Sequence, residues 1–257
     1  MVIVTYELNL DHESEAQSPG LVNSALNHER RAYDTPQWRG ATEAQRPGLV
    51  NYALNHEGRA YDTPQRRGAM FDYVLAADGL YLHAKREELE ICLQVAPAEV
   101  RGLDECFEKF AFGLPKVPSS LVKEILYIST SYAQDSKERL FWLEHSPHNP
   151  YDNGWSICHP LQMSSAASCR PIEGQDEAYQ RAIIVIHSHH SKPARFSGMD
   201  NRDETGFRLY GALGQLTKKS EIRLRVGCYG YFWEIPASWA LELPAGLRDC
   251  YDDKEER

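Results

Sequence analysis

The chain has 257 residues and a formal net charge of −9, which allows a proper hydrophobic core in one large domain or two smaller ones. The acidic balance argues against nucleic acid as the main partner, because phosphate contacts need clustered Lys and Arg. Apolar runs are too short to cross a bilayer, and the acidic N-terminus lacks the basic start of a secretory signal. Six cysteines without a C-x-x-C pair indicate free thiols in a reducing compartment, so we expect a cytoplasmic protein.

The N-terminal quarter contains a direct repeat. Residues 15–41 and 43–69 differ at four of 27 aligned positions. Near-identity of the whole unit indicates a recent tandem duplication, since solenoid repeats keep a core pattern while their surfaces drift. Because both copies are polar, we interpret residues 1–69 as a polar N-terminal segment. His28 and His56 recur at matching places, either as metal ligands or, more simply, as part of a solvated surface.

The pattern of residues 70–114 predicts a β module rich in hairpins. In MFDYVLAADGLYLHAK, apolar and polar residues alternate on both sides of Ala-Asp-Gly, which predicts a hairpin of strands at about 71–77 and 80–85. A further strand is predicted near 89–95. The residues from 97 to 118 end at two prolines and predict an irregular connection.

Residues 115–245 carry a longer series of elements, which we interpret as one domain. The segment SSLVKEILYISTSYAQ predicts a helix over 119–134, because apolar residues recur at helical spacing and Ser119 or Ser120 can cap its start. Three strand-like segments follow, and the last is apolar enough to be covered on both faces of a sheet. They are ERLFWLEH, the strand and loop of GWSICHPLQMSSAASCRPI, and RAIIVIHSH.

The last segments complete a mixed pattern. We interpret residues 199–216, MDNRDETGFRLYGALGQL, as a helix with Phe207, Tyr210 and Leu213 near one face. We predict a hairpin that turns at Tyr229-Gly230 in the later segment EIRLRVGCYGYFWEI. Residues 246–257 form a charged tail that we expect to fray. The element order predicts an α/β fold: a mixed β-sheet flanked by helices, with a β-rich N-terminal extension.

The residues with the clearest chemistry follow the apolar strand, in HSHHSKPARFSGMD. His187 and His189 are two positions apart, so in a strand both imidazoles point to one side. Two neutral histidines and one carboxylate make a three-ligand zinc site that keeps its fourth position for water. Asp200 could supply that carboxylate from the first turn of the next helix.

Two simpler interpretations stand beside this one. Ser197-x-x-Asp200 also has the spacing of a helix capping box, in which both side chains only start a helix. The run of histidines could also lie in a polar surface loop. The combination of a buried strand, two histidines at its exit and a carboxylate after a short loop favours the metal site.

The pattern His187-x-His189-x7-Ser197-x2-Asp200 resembles that of the JAMM (MPN+, or JAB-domain) metalloproteases, in which a distant glutamate precedes H-x-H-x7-S-x2-D. The resemblance implies the curved mixed sheet of that cytidine-deaminase-like fold, with zinc held by His187, His189 and Asp200. It implies that Ser197 helps to hold the tetrahedral oxyanion. His190 replaces the proline that often follows the second histidine in the family, and we interpret it as a neighbour rather than a ligand.

The family's glutamate lies after the first helix, just before or at the start of the next strand. Glu138 occupies that place, Glu144 at the far end of the strand is the alternative, and Glu124 falls within the predicted helix. In this role the carboxylate takes a proton from zinc-activated water and returns it to the leaving nitrogen. An ordinary surface carboxylate is the interpretation for Glu138 without the zinc motif.

A wider resemblance joins the N-terminal part to the JAMM-like domain. PGLVN followed by ALNHEGRAYDTPQRRGAMFDYVLAADGLYLHAK is similar to the protein A family of PRTRC cassettes in bacteria. This implies a small ubiquitin-like (β-grasp) protein or its conjugates as partner. A ThiF-like activating enzyme and a conjugating-enzyme-like protein of the same cassette are further expected partners.

The resulting prediction is a zinc-dependent isopeptidase or peptidase that hydrolyses the bond after the C-terminus of a ubiquitin-like protein, in deconjugation or precursor processing. The alternatives are a non-catalytic MPN scaffold that binds such a protein, and a plasmid or mobile-element maintenance factor.

Overall fold

The computed structural model describes residues 4–6, 52–53 and 70–251. It divides the chain into two compact units, with the boundary between Ala111 and Phe112. His28, His56 and nearly all of the repeat lie outside the described residues. No helix in the described part of the chain is long and apolar enough to cross a membrane.

The N-terminal unit is built on a six-stranded sheet in the order β1-β6-β5-β4-β3-β2. The predicted hairpin and the strand after it are confirmed as β3, β4 and β5. The polar segment contributes two short strands to this sheet, so residue 70 does not separate the segment from the β module. The strands are β1 (Val4–Tyr6), β2 (Tyr52–Ala53), β3 (Asp72–Ala76), β4 (Gly79–Lys85), β5 (Leu89–Pro97) and β6 (Lys109–Phe112).

Strand β6 corrects the predicted irregular connection over 97–118. Phe110 is fully buried and Ala111 nearly so, while Lys109 reaches the carboxylate of Glu90 on β5 at 2.8 Å. Four residues are too few for an alternating pattern to be recognised in sequence, and pairing with β5 decides the structure.

The C-terminal unit is a mixed α/β structure dominated by strands. Its main sheet has the order β14-β13-β12-β11-β7-β8, with β15 beside β13, and β9 pairs with β10 separately. Strands β11 and β12 are parallel. The elements are α1 (Ser119–Gln134), β7 (Arg139–His145), β8 (Trp155–Cys158), β9 (Gln162–Ser164), β10 (Cys169–Pro171), α2 (Asp176–Arg181), β11 (Ile184–Ser188), α3 (Asp200–Asp203), β12 (Arg208–Gly214), β13 (Glu221–Cys228), β14 (Tyr231–Ile235) and β15 (Arg248–Asp249).

Helix α1 has the predicted bounds but not the predicted cap. Its N-cap position is Pro118, and no side chain caps the helix there. The Ser119 backbone N–H donates to the Glu242 carboxylate at 3.2 Å, and the Ser120 hydroxyl donates to Asp152 at 2.7 Å. A distant carboxylate thus satisfies the helix end, which short-range patterns do not reveal.

The helix predicted over residues 199–216 is wrong. Only Asp200–Asp203 are helical, and Arg208–Gly214 form the central strand β12, buried at every residue. A strand covered on both faces has apolar residues at all spacings, so the i, i+3 spacing of Phe207, Tyr210 and Leu213 does not distinguish it from a helix. A Cβ at Gly214 would lie 2.2 Å from the backbone nitrogen of Ala194, so the strand passes close to the preceding loop.

The predicted charged tail begins inside the folded unit. Strand β15 pairs in parallel with β13, and Leu247 and Cys250 on either side of it are buried. The residues from 252 onward lie outside the described part of the chain.

Candidate metal centre

The pairing of β7 with β11 places three of the predicted site residues on one face of the sheet. In this antiparallel register His187 lies opposite Leu140 and Ser188 opposite Arg139. Glu138 therefore lies one step beyond the paired segment, opposite His189. Side chains two residues apart share a face, so Glu138, His187 and His189 face the same cavity.

The two imidazoles meet through their Nε2 atoms, which are 3.2 Å apart. The Nδ1 atom of His189 is 3.1 Å from the carbonyl oxygen of Pro193. A carbonyl oxygen only accepts, so Nδ1 of His189 is the donor, and in the neutral imidazole the lone pair is then on Nε2. Burial lowers the pKa of His187 to about 4, so this imidazole is neutral at pH 7. The shared space between the two Nε2 atoms therefore suits a cation.

The separation fits a single zinc ion. Two nitrogens bound to tetrahedral zinc at 2.0–2.1 Å lie about 3.3 Å from each other, close to the separation found between His187 and His189. The hydrogen bond from His189 to the backbone is the kind of outer contact that fixes the orientation of a metal-binding histidine.

Asp200 takes part in a capping box with Ser197 and also faces the candidate metal site, the two interpretations that the sequence allowed. The Ser197 backbone N–H donates to Oδ2 of Asp200 at 2.5 Å, and the Asp200 N–H donates to the Ser197 hydroxyl at 3.3 Å, as in a capping box. The other carboxylate oxygen, Oδ1, remains 3.7 Å from Nε2 of His187. Burial alone would raise the pKa of Asp200, but His187 and the Ser197 hydrogen bonds outweigh it and lower that pKa. The cap thus aims an ionised carboxylate at the histidine.

Glu204 is a carboxylate of the site that sequence analysis missed. Its Oε1 lies 3.8 Å from Nδ1 of His187, on the opposite edge of the ring from Asp200. The atoms offered by His187, Asp200 and Glu204 lie within 4.8 Å of one another, and this buried group could hold a metal ion. His189 stands outside that group. The spacing of four residues between Asp200 and Glu204, which puts both on one side of a helical turn, was the available signal.

Arg225 on β13 fixes Glu204 in place. Its Nε and Nη2 atoms donate to Oε2 of Glu204 at 2.9 and 2.5 Å. The guanidinium lies between the rings of Phe196 and Phe232, at 3.9 and 3.8 Å from their centroids. Burial raises the pKa of the Glu204 carboxyl, and the two charge-assisted hydrogen bonds oppose that rise. Arg225 engages Oε2, so Oε1 is the oxygen of Glu204 that faces His187.

Glu138 is 5% exposed, which does not fit the alternative interpretation of an ordinary surface carboxylate. Burial raises its pKa, against the attraction of His189 and Lys192. The ammonium group of Lys192 lies 3.8 Å from Oε1. A raised pKa makes the Glu138 carboxylate a stronger base than an ordinary glutamate, which suits it to accept a proton.

The other residues that the sequence offered for the site lie outside the cavity. Glu144 pairs with Arg181 at 3.2 Å, and Glu124 on α1 lies 3.8 Å from His159. The ring of His190 contacts the Ala166 carbonyl and the Ser191 hydroxyl, each at 3.0 Å. None of the three lines the cavity that holds Glu138.

All five predicted site residues line one cavity of about 830 Å³ in the C-terminal unit: Glu138, His187, His189, Ser197 and Asp200. Its walls also carry apolar side chains, which include Leu140, Trp142, Val185, Phe196 and Tyr210. The volume lies in the range of pockets that take small molecules or short peptide segments. Ser197 is exposed, and its hydroxyl accepts from the Met199 and Asp200 N–H groups. The same hydroxyl forms a hydrogen bond with the Asp200 carboxylate, which helps to lower the pKa of Asp200.

Comparison with known proteins does not assign the site: no protein-family model matches the chain, and no curated protein matches it significantly.

Proposed function

We propose that this protein is a zinc-dependent isopeptidase or peptidase of the JAMM type, which hydrolyses the bond after the C-terminus of a ubiquitin-like protein. The observation that carries the proposal is the shared cavity of Glu138, His187, His189, Ser197 and Asp200. These residues lie far apart in the sequence, from position 138 to position 200. A capping box alone would account for Ser197 and Asp200, but not for two imidazoles and a buried carboxylate facing them.

The metal ligands in this proposal are His187, His189 and Asp200. Zinc, when bound, supplies Lewis acidity towards water and towards the scissile carbonyl. Glu138 takes the proton of the attacking water and delivers it to the leaving nitrogen, for which its raised pKa is suited. The Ser197 hydroxyl donates a hydrogen bond to the oxygen on which negative charge develops.

The proposed substrate follows from the resemblance to PRTRC cassettes rather than from the geometry. A β-grasp protein that ends in a flexible C-terminal tail would place that tail in the cavity. Its partners in the same cassette would be a ThiF-like activating enzyme and a conjugating-enzyme-like protein. The apolar walls around Trp142 and Tyr210 suit aliphatic side chains of such a tail.

Hydrolysis of β-grasp fusions tests the proposal. Zinc-loaded protein would be incubated with linear and isopeptide-linked fusions of small β-grasp proteins that end in Gly-Gly, with cleavage followed by mass spectrometry. We expect cleavage directly after the final glycine and a loss of about 10²–10⁴-fold in kcat for Glu138→Gln.

The control is Glu144→Gln, which changes the alternative glutamate near the far end of β7 and should keep nearly the full rate. Zinc content must be the same in all three proteins for the comparison to hold. Cleavage by zinc-loaded Glu138→Gln at the unaltered rate would contradict the proposed role, and so would a loss confined to Glu144→Gln. Partner binding without cleavage of any fusion would point to the scaffold function instead.

A further inference from the structure

The charged residues that line the cavity are arranged in two layers. Glu138 and Glu204 are 5% and 7% exposed and form its floor, together with the half-buried Asp200. The cationic residues of the lining are all exposed and form its mouth, where Asp203 is the accompanying exposed carboxylate. These cations are Arg170, Lys192, Arg195 and Arg202.

The cations of the mouth have few partners within the described residues. Arg195 and Arg202 have no side-chain hydrogen bond or ion pair there, and Arg170 contacts only the sulfur of Met199, at 3.4 Å. Lys192 reaches down to Glu138 at 3.8 Å. The chain has 37 acidic and 28 basic residues, so a shortage of carboxylates does not explain unpaired arginines. Elsewhere in the same unit, Arg181 and Arg223 are each paired with a glutamate.

From this arrangement we infer that the cavity receives an acidic polypeptide segment, whose Asp or Glu residues contact the cationic mouth formed by Arg170, Arg195 and Arg202. The inference rests on the proposed function and adds to it: the ubiquitin-like tail, or the target segment joined to it, carries acidic residues near the scissile bond. Opposite charges across an interface set orientation and raise the association rate.

A polypeptide fits this surface better than a nucleic acid does. The cations surround an opening whose floor holds three carboxylates, and these would repel a continuous phosphate backbone. The apolar walls at Leu140, Trp142 and Phe196 offer contacts to side chains. Acidic side chains at the mouth with aliphatic ones below them would satisfy both layers.

The experiment measures binding rather than cleavage, so that it is separate from the proposed function. The protein used is zinc-loaded Glu138→Gln, and the probes are two fluorescent dodecapeptides that end in Gly-Gly, one with three Glu residues and one with Gln in their place. A single-stranded oligonucleotide of the same charge is the third probe. Anisotropy is recorded at low and at high salt.

We expect the Glu peptide to bind about tenfold more tightly than the Gln peptide at low salt, and the difference to shrink at high salt through screening. Replacement of Arg170, Arg195 and Arg202 by Gln should abolish the difference. Replacement of the exposed Lys123, Lys218 and Lys219 by Gln removes the same charge away from the cavity and should leave it unchanged.

Equal binding of the two peptides would overturn the inference, as would tighter binding of the oligonucleotide than of the Glu peptide. An equal effect of the two triple replacements would also overturn it, because the net charge alone would then be responsible. Acidic-peptide binding by a protein that cleaves no fusion would support the inference while the proposed function fails. If the unaltered protein cleaved fusions that carry the Glu or the Gln sequence before Gly-Gly with equal kcat/KM, the proposed function would stand and the inference would fail.

Discussion

Substitution in the ion pair of Arg225 and Glu204, beside the candidate metal centre, should strongly lower the stability of the C-terminal unit. Replacement of Arg225 by Met removes three hydrogen bonds, to Glu204 and Asn201, and leaves the Glu204 carboxylate buried without its partner. The two side chains are only 5% and 9% exposed. Loss of one member of a buried ion pair costs about 3–5 kcal/mol. We therefore expect Arg225→Met to lower the free energy of unfolding by about 4 kcal/mol.

Urea unfolding followed by tryptophan fluorescence measures this effect, since four of the five tryptophans lie in the C-terminal unit. Arg223→Met is the matched control: Arg223 lies on the same face of β13. Its replacement removes a partly exposed pair with Glu234 and a hydrogen bond to the Ala194 carbonyl, which together should contribute about 1–2 kcal/mol. The double variant Arg225→Met/Glu204→Leu replaces both charges and should recover part of the loss. A loss for Arg225→Met no larger than for Arg223→Met would refute the reasoning, as would a double variant less stable than Arg225→Met.

Two further predictions concern regions outside the proposed chemistry. The hydrogen bond with His83, followed by those from Lys109 and Lys85, lowers the pKa of Glu90 against the effect of burial. The ionised Glu90 carboxylate therefore stabilises the folded state above its unfolded pKa, and this stabilisation is lost progressively as the pH falls below about 4.3. In thermal unfolding scans, Glu90→Gln should therefore be less stable than the unaltered protein at pH 7 and approach it at pH 3; a constant difference would contradict the linkage, and Glu87→Gln serves as an exposed control. Gly214→Ala should destabilise the C-terminal unit by about 1–3 kcal/mol in urea unfolding, because the added Cβ would meet backbone atoms. Gly198→Ala is the control and should be nearly neutral, because there is open space around Gly198. Equal effects of the two substitutions would show that the close approach at Gly214 is not rigid.

Local periodicity was sufficient for most elements of the fold. Helix α1, the hairpin of β3 and β4, and the apolar strand β11 all appear where alternation or helical spacing predicted them. The failure at β12 has a physical cause: a strand buried on both faces loses the alternation that separates strands from helices. Pairing with its neighbours β11 and β13 determines its conformation.

The candidate site shows the same division between local and distant information. Adjacent positions revealed His187, His189, Ser197 and Asp200, and the resemblance to a known pattern pointed to Glu138. Arg225 has no local sign of its role, because its partners come from α3, the preceding loop and β14. Likewise the cationic mouth draws on β10, on the long loop after β11 and on α3, and only the fold brings β10 next to the other two.

Metal content is the most direct measurement of the central claim, that His187, His189 and Asp200 bind one divalent ion beside Glu138. Purified protein would be stripped with chelator, reloaded with zinc, dialysed and analysed by mass spectrometry for metal per chain. We expect about one zinc per chain for the unaltered protein and for Glu138→Gln, loss of zinc for His187→Ala and Asp200→Asn, and retention for the control His148→Ala outside the cavity. Zinc that stays bound after His187→Ala, or no zinc in the folded unaltered protein, would contradict the account.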